Sequence, residues 1–263
     1  MSNIDDIKSI IKQQNVGHTI VELPGSGQKI HLKPLTMAEY KVFLKTAEGM
    51  STDPTSDAFK FEEVFDNVLS KCITNIDEVD LKQLYTADWM YLMYMLRNIS
   101  KGNIVIFNTK CTKCKSPISF DLDLNKLEPV PKNKATAEYK FNDSMTILLS
   151  APRRQTEYDI NNERDEYKLD SEYRFLKLAS VIDKIEYKND EMEHPSLVEN
   201  LTLSQKRELI DTFNEHQVKD VERIVNDELD WGLPLKYELN CKKSGCNHKQ
   251  EEMIIDVSDF FLV

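Results

Sequence analysis

The sequence predicts an α+β fold built from two tandem, related units, each made of helices followed by a β-hairpin and joined through a four-cysteine site. In both halves, segments with a helical spacing of apolar residues precede short runs with strand-like alternation. The last two strands of each half flank a turn that carries two cysteines. We assign the halves to residues 1–128 and 140–263, with residues 129–139, which include Pro129 and Pro131, as the linker.

Composition limits the classes of function that the chain can have. Its 263 residues, 40% of them hydrophobic, suffice for one large core or two smaller ones. The formal net charge of −11 argues against the long-range positive field of a nucleic-acid-binding protein. We see no signal peptide, and the most apolar run, residues 89–96, is far shorter than the roughly 20 residues of a membrane helix. We therefore expect a soluble protein without a membrane partner, made in a reducing cytoplasm.

The clearest local signal is the start of the first helix. Thr36 fits an N-cap, and Glu39 stands three residues later, which is the spacing of a capping box. A helix over residues 37–48 is predicted to follow. The polar residues 50–57 predict a loop, and helical spacing of apolar side chains predicts the next helix over residues 61–73.

A third helix is predicted over residues 86–99, where most side chains are apolar or aromatic. Such a helix lies either wholly in a core or between a core and a protein interface. Tyr91, Tyr94 and Met95 fall away from the face that carries Trp89. Because aromatic residues are frequent anchors of protein interfaces, Tyr91, Tyr94 and Met95 are our interface candidates, with burial in the core as the alternative for each.

The predicted elements of the second half follow the same order as those of the first. They are a strand over residues 145–149, helices over 152–162 and 173–182, an acidic loop over 186–200, a helix opened by a capping box of Thr202 and Gln205, and an additional helix over 218–228. The hairpin strands are predicted over 104–107 and 118–124 in the first half, and over 234–239 and 252–257 in the second. The match lies in the order of patterns and not in residue identity, so the duplication is a hypothesis.

Four cysteines occupy equivalent positions in the two predicted hairpins. Cys111 and Cys114 are separated by two residues, and Cys241 and Cys246 by four. One pair supplies half of the tetrahedral ligand set that zinc prefers, so the two hairpins together would form a zinc-ribbon-like site with four thiolates. Closely spaced cysteines in a reducing compartment indicate metal binding before they indicate disulfides. We therefore predict one structural zinc ion bound by Cys111, Cys114, Cys241 and Cys246.

The surroundings of these cysteines leave few alternatives. Lysines flank both turns, and nearby cations would stabilise the −2 charge of a zinc tetrathiolate. His248 is the alternative ligand, in place of one cysteine, whereas Cys72 lies on the apolar face of a helix and is predicted to be a core residue. A catalytic zinc would need an open coordination position, and a redox Cys-x2-Cys pair would need a following helix. No nucleotide-binding loop or catalytic constellation stands out, so we predict no enzymatic activity and no small-molecule substrate.

Several short motifs resemble one known family, the baseplate proteins of T-even-like contractile-tail bacteriophages. The motifs are Pro34-Leu35-Thr36 before a helix, Ala87-Asp88-Trp89-Met90-Tyr91-Leu92-Met93, Arg97-Asn98-Ile99-Ser100, and the Cys111-x2-Cys114 turn followed by Phe120-Asp121-Leu122-Asp123-Leu124. The resemblance covers about residues 23–127. It implies a non-enzymatic hub or hub-assembly subunit whose partners are other phage baseplate or tail proteins, located in the host cytoplasm during assembly or in the virion baseplate.

The sequence therefore supports two hypotheses for the function, from different classes. The leading hypothesis is a baseplate structural or assembly protein with a structural zinc site, acting through protein–protein contacts. The alternative is a zinc-ribbon nucleic-acid-binding adaptor that uses the lysines around the turns against phosphates.

Overall fold

Helices and small antiparallel sheets make up this chain, as the α+β prediction requires. The computed structural model describes Ile4, Ile7 and residues 17–48, 54–130, 134–163, 170–188, 191–234 and 236–253. In chain order the elements are β1 (Thr19–Glu22), β2 (Lys29–Leu32), α1 (Met37–Glu48), α2 (Pro54–Cys72), α3 (Thr86–Lys101), β3 (Ile104–Lys110), β4 (Pro117–Asp123), β5 (Thr136–Asn142), β6 (Met145–Ser150), α4 (Arg154–Glu163), α5 (Asp170–Ser180), β7 (Ile182–Tyr187), β8 (Ser196–Val198), α6 (Leu203–Asp211), α7 (Glu215–Ile224) with a π-helical turn after it (Val225–Leu229), β9 (Lys236–Asn240) and β10 (Lys249–Met253).

Backbone contacts divide these elements between two compact units. The first unit comprises Met1–Leu81, Met90–Val130 and Leu233–Val263, and the second comprises Lys82–Trp89 and Pro131–Gly232. The first unit therefore takes its β9–β10 hairpin from the end of the sequence. This division follows spatial contact and does not test whether the two halves of the sequence are related, so the tandem duplication stays a prediction.

The helical part of the first unit packs against the β1–β2 hairpin. Ile30 and Leu32 of β2 are fully buried, and the rings of Phe43 and Phe65 stack with centroids 6.0 Å apart. The amide of Lys33 donates to the carbonyl of Cys72 at 2.9 Å, which joins the end of β2 to the end of α2. These contacts bury apolar side chains from three elements in one core.

The local signals in the first unit are confirmed. The amide of Thr36 donates to a carboxylate oxygen of Glu39 at 2.6 Å, and the amide of Glu39 donates to Oγ1 of Thr36 at 3.4 Å, which completes the capping box. Directly after α3, Gly102 has a φ of +92°, a conformation that ends the helix. The buried guanidinium of Arg97 donates to the carbonyl of Gly102 at 2.7 Å and to that of Ile104 at 3.3 Å, so it fixes the turn into β3.

The second unit is a four-stranded antiparallel sheet, in the order β5-β6-β7-β8, covered by helices. Ile147 and Leu149 of β6 are fully buried and lie in a core that also contains Ile182, Ile210 and Trp231. The capping box of Thr202 and Gln205 is confirmed at the start of α6.

The segment Lys82–Trp89 belongs to this second unit because residues at the start of α4 hold it. Tyr85 pairs with Arg153 in an isolated antiparallel bridge, and the guanidinium of Arg154 lies 4.0 Å above the ring of Trp89. Both arginines sit at the N-terminal end of the helix that was predicted over residues 152–162. They therefore serve the packing of this unit, with cation–π contacts adding to the backbone bridge.

Several boundaries differ from the sequence predictions. Helix α5 ends at Ser180, and Ile182 begins strand β7, which the sequence had assigned to a helix and a loop. Ile182 and Ile185 are three residues apart, a helical spacing, yet both are buried in the sheet. A register shift in the pairing of β6 with β7, between Leu148 and Leu149, accommodates this spacing.

Two further differences concern a predicted loop and the predicted linker. Helix α2 begins at Pro54, inside the predicted loop, and proline is well suited to the first position of a helix. Strand β5 begins at Thr136, inside the predicted linker over residues 129–139. The last predicted strand is observed as β10, and residues 254–257 of that prediction lie outside the described residues.

Membrane insertion finds no support in the described helices, since none combines the length and the apolar composition that a bilayer span requires.

Candidate metal centre

Each cysteine pair lies in a tight turn that follows a strand of the first unit. In the β3–β4 hairpin, the amide of Cys111 donates to the carbonyl of Ser116 at 2.8 Å, and the amide of Lys115 donates back to the carbonyl of Cys111 at 2.8 Å. Lys115 adopts a φ of +59°, which closes the turn. Cys111 is thereby held at the end of the strand, with Cys114 in the turn itself.

The turn of the β9–β10 hairpin has the same plan with two more residues. The amide of Cys241 donates to the carbonyl of His248 at 2.9 Å, and the amide of Cys246 donates to the carbonyl of Lys243 at 3.0 Å. Gly245 lies at a φ of +78°, where a side chain would be strained. The longer spacing between Cys241 and Cys246 therefore still brings the second thiol back beside the first.

The four sulfur atoms come together between the two turns. All four lie within 4.8 Å of one another, with 3.8 Å between the Sγ atoms of Cys111 and Cys246 and 3.6 Å between those of Cys114 and Cys241. A tetrahedron with metal–sulfur distances of about 2.3 Å has sulfur–sulfur edges of about 3.8 Å. A disulfide would require about 2.05 Å. The cluster is thus spaced for four ligands around one ion, and it could hold a metal.

The cluster is partly shielded from water. Cys111 and Cys241 are buried together with Ile118 and Leu239, whereas the two cysteines within the turns are half-buried. Apolar side chains beneath the sulfurs lower the local dielectric constant, which strengthens the attraction between thiolates and a cation. The aromatic rings of Phe120 and Tyr237 pack against the same cluster.

The pKa values of the thiols show how the cluster behaves without a cation. Hydrogen bonds from Ser116 lower the pKa of the Cys114 thiol to about 6. The pKa of Cys241 is raised to about 12: a backbone hydrogen bond from Lys243 favours its thiolate, but burial and the hydrogen bonds with the other three thiols outweigh it. The thiols therefore differ in how readily each ionises, and a divalent cation bound among them would favour the thiolate form of all four.

His248 is not part of the group of side chains that could hold a metal ion. Its Nε2 atom lies 2.9 Å from Oγ1 of Thr112 in the opposite turn. The backbone amide of Thr112 also donates to Oε1 of Gln250 at 2.8 Å. The structure thus gives His248 a contact between the hairpins, and among the described residues the group that could hold a metal ion consists of the four cysteines.

Gln250 is a residue of the site that sequence reasoning missed. It lies on β10 opposite the buried Leu239 and is itself only 8% exposed. The signal was present in the strand alternation, because Gln250 stands between two exposed residues of its strand and must point inward. Its side chain contacts both backbone groups that flank Cys111.

Cys72 is a core residue, as predicted. It is fully buried at the end of α2, and burial raises the pKa of its thiol to about 12. Such a thiol packs as a small apolar side chain.

Lysines form an exposed rim around the cluster. Residues 108–120 and 240–250 contain no Asp or Glu, and all their lysines are exposed: Lys110, Lys113, Lys115, Lys242, Lys243 and Lys249. Of these, Lys249 pairs with Glu238 at 2.7 Å. The remaining 28 basic residues and all 45 acidic residues lie elsewhere, so this rim is a local cationic region on an acidic protein.

The interface candidates on α3 differ in their exposure. Tyr94 is 3% exposed, and burial raises the pKa of its hydroxyl group. Its side chain lies in the core, which is the alternative that the sequence left open for this residue. Tyr91 and Met95 are half-buried, and their contact with another protein stays a prediction.

Comparison with known proteins places the chain in a family. The sequence model described as T4 bacteriophage base plate protein matches residues 16–262, which is nearly the whole chain. No curated protein and no solved structure matches the chain. The resemblance first noted over residues 23–127 therefore extends through both hairpins and all four cysteines, and the chain belongs to the T4 bacteriophage base plate protein family.

Proposed function

We propose that this chain is a non-enzymatic structural or assembly protein of the phage baseplate hub, and that its four clustered cysteines bind one structural zinc ion. The observation that carries the proposal is the convergence of four thiols, from turns more than 120 residues apart, at the spacing of a tetrahedral site. A closed set of four thiolates leaves no coordination position for water or substrate. Its contribution is therefore to stability, because the free energy of metal binding adds to the free energy of folding.

Zinc is the metal that the ligand set favours. Four thiolates in tetrahedral geometry are typical of zinc or of iron–sulfur centres. The sulfur–sulfur distances of 3.6 and 3.8 Å correspond to ligands around a single ion. The lysine rim would offset the −2 charge of the zinc tetrathiolate.

The role in assembly rests on the family and on the absence of a catalytic constellation from our sequence analysis. Partners are other baseplate or tail proteins, met in the host cytoplasm during assembly and retained in the virion if the protein is a structural part. Tyr91 and Met95 are the proposed contacts on α3. We keep the tandem division into residues 1–128, 129–139 and 140–263 as a hypothesis in which the two hairpins are equivalents.

We expect purified protein, prepared without chelator, to contain about one zinc ion per chain, since one tetrahedral set is shared between the hairpins. Elemental analysis by inductively coupled plasma mass spectrometry measures this content alongside iron. Protein without bound metal would refute the zinc centre. Two zinc ions per chain would refute the shared site.

One observation favours a second candidate function, a nucleic-acid-binding adaptor: the exposed lysine rim around the cluster. In that case single-stranded DNA should bind with an affinity that falls steeply as salt rises, because phosphate contacts release counterions. Changing Lys113, Lys115, Lys242 and Lys243 to Glu should then abolish binding.

A matched control for this test changes four exposed lysines elsewhere to Glu, namely Lys29, Lys41, Lys126 and Lys188. Both variants alter net charge equally, so only a specific role of the rim separates them. A structural baseplate protein of charge −11 should show little binding at physiological salt in any variant. Submicromolar, rim-dependent binding would favour the adaptor.

A further inference from the structure

We propose that Gln250 is a positioning residue of the metal centre, whose side-chain amide clasps the Cys111 turn to the second hairpin and prepares the four thiols for the ion. This inference rests on the proposed zinc site and deepens it. Gln250 accepts a hydrogen bond from the amide of Thr112 at 2.8 Å and donates one to the carbonyl of Lys110 at 3.2 Å. These two backbone groups stand immediately before and after Cys111 in the sequence.

The geometry of the β3–β4 ladder explains why these groups need an external partner. Cys111 lies opposite Ser116 and donates to it, so the next pair, Lys110 with Pro117, does not exchange hydrogen bonds. In an antiparallel ladder the groups of such a pair point away from the partner strand. The carbonyl of Lys110 therefore faces outward. The side-chain amide of Gln250 donates a hydrogen bond to it, as the backbone of an additional strand would.

Because Gln250 is buried, its hydrogen bonds are costly to lose. Gln250 is 8% exposed, so breaking its hydrogen bonds would leave buried polar groups without water to replace them. Thr112 and His248 add a second contact between the turns, at 2.9 Å, but on more exposed residues. Of these two contacts between the hairpins, the one through the side-chain amide of Gln250 is therefore the more buried.

These hydrogen bonds also fix the position of the Cys111 thiol, because they hold the residues on either side of it. With the residues on both sides of Cys111 fixed to the second hairpin, the Sγ atom of Cys111 is held 3.8 Å from that of Cys246. Less conformational freedom then has to be lost when the ion binds. Partners that orient metal ligands typically contribute about 10–100-fold to metal affinity.

The test measures zinc affinity of the full-length protein by competition with a chromophoric chelator. Gln250→Met keeps the length of the side chain and removes its side-chain hydrogen bonds, and we expect it to weaken zinc binding by about 10–100-fold. The cobalt-substituted variant should keep the absorption spectrum of a tetrahedral four-thiolate site, because all four ligands remain. Thr112→Val is the comparison: it removes the hydroxyl that contacts Nε2 of His248 at 2.9 Å and Oε1 of Gln250 at 3.4 Å but keeps the backbone amide that Gln250 binds, so its affinity should fall less than that of Gln250→Met.

A variant that is unstable without metal is tested in its zinc-loaded, folded form by the rate at which zinc passes to excess chelator. Zinc release from Gln250→Met that is faster than from both the wild type and Thr112→Val supports the clasp. Wild-type affinity and release rate in Gln250→Met overturn it, and so does an equal loss in Thr112→Val. A wild-type protein that binds no zinc would instead refute the proposed metal centre, which keeps the two failures distinct.

Discussion

Replacement of Cys111 or Cys241 by serine is expected to abolish stoichiometric zinc binding and to lower the free energy of unfolding by several kcal/mol. Both residues are the buried members of the cluster, where a serine hydroxyl is a poor ligand and an unfavourable neighbour for the three remaining thiols. Chemical denaturation, followed by circular dichroism with zinc content measured in parallel, gives both quantities.

Cys72→Ala is the matched control because it also removes a buried thiol of the first unit, at a site away from the cluster. It should leave zinc content at the wild-type value and cost only the small penalty of a minor cavity. Loss of zinc from the Cys72 variant would show that the ligands are misassigned. Equal stability of the cysteine variants and the wild type would show that the four thiols do not hold a structural ion.

Tyr94→Ser should be the most damaging single change on α3, lowering the free energy of unfolding by about 3–5 kcal/mol. The ring of Tyr94 is almost wholly buried, so truncation removes a large apolar contact and leaves a cavity. Thermal melting measures the effect, and Tyr94→Phe separates the contribution of the hydroxyl group from that of the ring.

Tyr91→Ser serves as the comparison, since Tyr91 is only half-buried on the same helix. We expect a smaller loss of stability, together with weaker co-purification of baseplate proteins from infected cells if Tyr91 contacts a partner. A Tyr94→Ser variant that melts like the wild type and fails to assemble would reverse this assignment and return Tyr94 to the interface.

The cysteine site could be predicted from the sequence because ligand type and turn position are local properties. Two cysteines between two strand patterns already indicate half a tetrahedral site, and only the meeting of the two turns had to be inferred. The capping boxes at Thr36 and Thr202 were predictable for the same reason, since both partners lie within four residues.

Features that depend on distant pairing could not be predicted in this way. Ile182 and Ile185 have a helical spacing, and the register shift in the pairing of β6 with β7 accommodates their burial in one sheet. For Tyr94 the sequence leaves both the core and an interface open, because helical periodicity gives a direction but not the element that lies there. The role of Gln250 likewise depends on an outward-facing carbonyl in the other hairpin, 140 residues away.

The late position of the second cysteine pair has a consequence for synthesis. Cys114 and Cys241 are 127 residues apart, and most of the second unit is translated between them. At about 5–20 residues per second, translation of the residues between the two turns takes roughly 6–25 s. A chain released before Cys246 can never complete the four-thiol cluster. The cluster thus reports that translation has passed Cys246, and a chain released earlier lacks the joined hairpins.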